Sequence, residues 1–104
     1  MHKVPYIKKA IIADLYANLC LACKQMEPIV LDLAKLFEEE ILFLKINLSN
    51  QAIDPVKITK LINGKEINSA PTFLLINEGH EVDRFEGMVT MAVFEQKIMK
   101  AFEL

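Results

Sequence analysis

The chain has 104 residues, enough for one domain with one core and too few for two of ordinary size. Its 12 basic and 14 acidic residues give a formal net charge of −2 without a basic block, which removes the electrostatic footing for a nucleic-acid surface, and 53% hydrophobic residues exclude a disordered chain. No apolar run approaches the roughly 20 residues of a membrane span, and the first dozen residues show neither a secretory h-region nor a small-residue cleavage site, so a cytoplasmic protein away from membranes is expected.

Residues 1 to 9, with Pro5 among them, have room only for a short extended piece. "AIIADLY", residues 10 to 16, is an apolar run without clean alternation, the pattern of an inner strand covered on both faces, and Asp14 is the anomaly in it. Met26, Ile29, Val30, Leu33 and Phe37 then recur at spacings of three and four, predicting an amphipathic helix that runs to about residue 39. "ILFLKINL", residues 41 to 48, reads as a second buried strand.

Asp54-Pro55 supplies a helix N-cap followed by proline at the first helical position, and Asn63-Gly64 a stop, so a short helix is expected over residues 55 to about 62. "TFLLIN", residues 72 to 77, is a third strand; "EGH" is a turn; residues 81 to 87 form an antiparallel edge strand with Val82 and Phe85 as its apolar positions. Thr90 caps a last helix with Phe94, Ile98 and Phe102 on one stripe. The order β-α-β-α-β-β-α is that of an α/β domain, a central sheet with helices on both faces, in which strands joined through a helix pair in parallel.

The two cysteines of the chain, Cys20 and Cys23, stand two residues apart where the first strand gives way to the helix. Unpaired N–H groups and the positive end of the helix dipole favour a thiolate at such a place. A pair of small buried hydrophobes is the alternative. His2 and His80 have no metal-ligand spacing to either cysteine.

The stretch "IIADLYANLCLACKQMEPIVLDLA" resembles the strand, active-site loop and following helix of the thioredoxin family, and "APTFLLINEGHEVDRFEGM" resembles its cis-proline segment and terminal hairpin. The resemblance implies a shortened thioredoxin-like fold with a mixed central sheet, and thiol–disulfide exchange with protein disulfides, as a reductase in the first instance, with the direction, reductase or oxidant, set by the couple's potential against that of the compartment. It makes Cys20 the nucleophile, Cys23 the resolving cysteine, Asp14 the buried acid that moves a proton for Cys23, and Lys45 the lysine near that acid. It puts Leu19, Leu21, Ala22, Ala70, Pro71 and Gly87 on the substrate-binding surface, with a cis bond before Pro71. No cofactor is required, a monomer is expected, and electrons come from a reductase or another dithiol.

Burial gives Asp14 an independent reason for its role, because an acid held in an apolar site rises toward the range useful for proton transfer. Family members usually carry Trp-Cys-Gly-Pro-Cys; here Leu19-Cys20-Leu21-Ala22-Cys23 replaces it, with Tyr16 where another Trp is common. Ala22, unlike proline, keeps an N–H, and that extra donor is expected to stabilise the Cys20 thiolate and make the couple less reducing than thioredoxin's roughly −270 mV. Residues 49 to 70 exceed the family's usual connection by roughly seven residues, placed in a surface loop. A thioredoxin-like peptide-binding module that uses its cysteines only for structure or a metal is the rival reading.

Overall fold

A computed structural model describes residues 10–104 and holds seven elements in the expected order: β1 (Ala10–Tyr16), α1 (Leu21–Leu36), β2 (Ile41–Asn47), α2 (Pro55–Leu61), β3 (Thr72–Asn77), β4 (His80–Glu86) and α3 (Met91–Phe102). The extended piece expected at residues 1 to 9 lies outside the described residues. Capping side chains fix the starts of all three helices. Cys20, Asp54 and Thr90 each stand in extended backbone and accept an amide of the first turn, and Pro55 occupies the position where a missing N–H costs nothing.

The sheet order is β2-β1-β3-β4. β1 and β2, joined through α1, pair in parallel, while β3 runs antiparallel to both β1 and β4, giving the mixed sheet. The parallel rule thus holds for the first crossover and not for the second. Thr72 pairs with Leu15, so β3 begins at the sheet end where β2 finishes, and the excursion through α2 leaves from and returns to that end.

α1 and α3 cover one face, where Ile12, Met26, Leu33, Phe73, Phe94 and Ile98 form the main core. Phe73, Phe85 and Phe94 pack ring on ring there, with centroids 4.7 to 5.1 Å apart. On the other face Ala13, Leu15, Leu74 and Ile76 lie under Ile58 and Ile62 of the α2 region, so helices do flank both sides.

Two expectations need correction. β2 is an edge strand among the described residues, and of its seven residues only Ile41 is buried, with Leu42 and Leu44 about 40% exposed. Its continuous apolar run has the composition of a covered strand, but cover depends on what lies beyond it. Val82 faces solvent while Phe85 is buried, because a register shift opposite Leu75/Ile76 adds a residue to β4 and breaks the period of two. The β3–β4 turn is made by Glu78 and Gly79, both at positive φ, which suits a two-residue hairpin.

The long connection ahead of Pro71 is held by Arg84. Its guanidinium donates to both carboxylate oxygens of Glu81 at 2.7 and 2.8 Å and to the carbonyls of Lys65 and Glu66 at 2.7 and 2.8 Å. The hydrogen bonds to Glu81 raise the Arg84 pKa above its ordinary value. Removing the guanidinium strands a mostly buried carboxylate and two carbonyls, so Arg84→Ala is expected to cost about 3 kcal/mol, measured by urea unfolding. Arg84→Lys should not rescue it, since an ammonium cannot bridge four acceptors in a plane.

Candidate active site

The site lies at the end of the sheet where β1 and β2 finish and β3 begins. β1 leads through Ala17 and Asn18 to Leu19, which is fully exposed and has φ of +55°, a backbone region costly for a branched residue. The loop is tied to β2: the Asn18 amide donates to Ser49 Oγ at 2.9 Å, and the Asn47 side chain donates to that of Asn18 at 3.2 Å. Held this way, Cys20 arrives as the N-cap of α1.

Cys20 and Cys23 form a disulfide and are both half-buried. The Cys23 amide donates to Cys20 Sγ at 3.1 Å, the bond that an N-cap side chain makes with the third helical residue. The donor is therefore Cys23 and not Ala22, and it is one that a Cys-Gly-Pro-Cys loop would also possess. A glutathione titration, which reads the reduced pair directly, checks the expected less reducing couple. The N-terminus of α1 still favours negative charge on Cys20 once the bridge is reduced.

Cys20 Sγ lies 3.7 Å from the Ala70 carbonyl oxygen. The Ala70-Pro71 bond is cis, and Pro71 is fully buried. Gly87, at φ +78°, sends its amide to the Pro71 carbonyl at 2.9 Å, and Thr72 bonds back to the Ser69 carbonyl at 2.6 Å. Ala70, Pro71 and Gly87 thus meet beside the cysteines. Leu21 is exposed next to Cys20, and Ala22 is half-buried.

Asp14 is only 6% exposed, and its Oδ1 has no hydrogen-bond partner among the described residues. Burial raises its pKa from 3.8 to about 6, with Lys45 pulling the other way and Glu27 adding to the rise. Asp14, Cys23, Glu27, Lys45 and Tyr16 line one cavity of about 320 Å³. Lys45 pairs with Asp14 in the β1–β2 register, yet its ammonium bonds Glu27 at 3.2 Å and stands 4.8 Å from the centre of the Tyr16 ring.

Glu27 was not among the residues that sequence reasoning brought to the site. The signal was present, since it follows Cys23 by four residues and so shares its face of α1. Among the described residues, no three His, Cys, Asp or Glu side chains cluster as a metal site would require.

The thioredoxin family model matches residues 2–100. Thioredoxin Y1, chloroplastic, of Arabidopsis thaliana is 32% identical over 90 residues, covering 86% of this chain and 48% of that protein. Thioredoxin-1 of Drosophila melanogaster is 30% identical over 79 residues, covering 76% of this chain and 67% of that one. The chain spans about half the length of the chloroplastic thioredoxins it matches. The X-ray structure of Fasciola hepatica thioredoxin superposes with a TM-score of 0.72 at 28% identity, over 90% of this chain and 83% of that one. A family model matched over residues 2–100 and a solved thioredoxin that superposes over 90% of the chain together mean that the chain belongs to the thioredoxin family.

Proposed function

We propose that this chain reduces protein disulfides by thiol–disulfide exchange. The observation that carries the reading is the N-cap placement of Cys20, with its sulfur accepting the Cys23 amide beside the Ala70-Pro71 turn. The Cys20 thiolate attacks one sulfur of the substrate disulfide and expels the other as a thiolate. Cys23 gives up its proton toward Asp14 and attacks Cys20 Sγ, which releases the second substrate thiolate and leaves the Cys20–Cys23 bridge. Two electrons pass from this dithiol to the substrate, and a reductase or another dithiol restores them.

A reducing compartment such as the cytoplasm suits a chain whose two cysteines are both taken up by this pair. We place the protein there as a monomer.

Insulin reduction driven by dithiothreitol tests the proposal. Turnover above the dithiothreitol background is expected, and its absence with both cysteines intact favours the peptide-binding module. Leu19 and Leu21, fully and 71% exposed, offer apolar area to a docking segment. Burial of one such side chain is worth about 1.5 to 3 kcal/mol, so Leu19→Asp should lower kcat/KM for insulin about tenfold or more while leaving the unfolding midpoint near that of the parent.

A further inference from the structure

The cavity beside the dithiol holds an arrangement that the exchange mechanism by itself does not require. Asp14 is buried with one oxygen unpartnered among the described residues, and the nearest cation by register, Lys45, is engaged elsewhere. Its ammonium is held from two sides, by Glu27 Oε2 at 3.2 Å and by the face of Tyr16 at 4.8 Å to the centroid. Glu27 and Lys45 belong to different elements, α1 and β2, and their partly exposed ion pair lines the same cavity as Asp14 and Cys23.

We infer that Glu27 is a positioning residue: by tethering Lys45 across the α1–β2 gap, it keeps the ammonium from pairing with Asp14 and so preserves Asp14 as a proton carrier for Cys23. This deepens the exchange reading proposed above and rests on it. A carboxylate in direct contact with a lysine is held ionised, and a residue already ionised takes up no proton from Cys23. Tyr16 assists, because its ring offers the ammonium a second attractive contact besides Glu27.

Few groups act on Asp14. On its own strand the nearby titratable side chain is Tyr16; β2 brings Lys45; α1 brings Cys23, Lys24 and Glu27; and from β3 the partner in register is apolar Phe73. Of these, Lys45 and Glu27 oppose one another in their effect on Asp14. Their ion pair is partly exposed, with side-chain exposures of 45% and 53%, so its contribution to stability is small and its value lies in where it holds the charge.

The test is the titration of Asp14, followed by its carboxyl carbon resonance in Glu27→Gln, Lys45→Met and the double variant. Glu27→Gln frees Lys45 and should lower the Asp14 midpoint by at least about half a pH unit. In the Lys45→Met background the same change should move the midpoint by less than half as much, because no tethered cation remains to be released. An unchanged or raised midpoint in Glu27→Gln overturns the inference. So does an equal shift with and without Lys45, since Glu27 would then act only through its own charge. The resonance reports on Asp14 whether or not insulin is reduced, so failure of the exchange reading and failure of this inference are told apart.

Discussion

Cys20→Ser is expected to remove exchange down to background, whereas Cys23→Ser should keep the attack and lose the release. The asymmetry follows from the helix start. Cys20 Sγ accepts the Cys23 amide at the N-terminus of α1, where the dipole favours an anion, so the reduced Cys20 is the thiolate available near neutral pH. Cys23 lies within the first turn, facing the cavity it shares with Asp14, and needs its proton removed before it can attack. Iodoacetamide at neutral pH should therefore modify Cys20 first in the reduced protein, and mass spectrometry of the peptides reads the order directly. Cys23→Ser should accumulate mixed disulfides, recoverable under non-reducing conditions, and these name the substrates. Faster alkylation of Cys23, or trapping by Cys20→Ser and not by Cys23→Ser, reverses the roles.

Asp14→Asn should make the protein more stable and slower. The folded state raises the Asp14 pKa from 3.8 to about 6, so between these values the folded chain binds more protons than the unfolded one. Stability is then full below about pH 4 and falls as pH rises through about 6, after which the penalty is constant. Two units correspond to about 2 to 3 kcal/mol. Asparagine, of nearly the same size, cannot ionise, so the variant escapes the fall: it should exceed the parent by about 2 kcal/mol at pH 8 and by little at pH 4. Urea unfolding at the two pH values measures the difference, and an equal difference at both refutes the linkage. The same change removes the proton acceptor for Cys23, and loss of a general base is worth about 10²-fold or more in the resolving step. A gain in stability joined to a loss in rate marks a residue kept for chemistry.

Local devices were legible in the sequence because each acts on its own neighbours. The N-caps at Asp54 and Thr90, proline at the start of α2, the apolar stripes of α1 and α3, and the turn within residues 78–80, which the structure narrows to Glu78-Gly79, all depend on residues a few positions apart. The helix predicted to about residue 39 stops at Leu36, with Phe37 as its C-cap, a difference of fraying at a polar end. The candidate site was read in the same way. Cys20 and Cys23 stand at a strand-to-helix junction by spacing alone, and an aspartate inside an apolar strand is conspicuous wherever it occurs.

The sequence by itself thus determined the order of elements, the helix boundaries near their caps, the dithiol at the head of α1 and the buried acid behind it. The tertiary structure decided which strand lies at the edge of the described sheet, since an apolar run reports its own composition and not the presence of a neighbour, and among the described residues β2 has the run without the cover. It decided that β3 returns antiparallel, because that depends on the end of the sheet from which α2 departs. It also decided which amide reaches Cys20 Sγ, and that Lys45 bonds Glu27 across two elements instead of the acid beside it in register. Contacts of this last kind join residues 18 positions apart through the packing of a helix on a strand, and no periodicity along the chain records them.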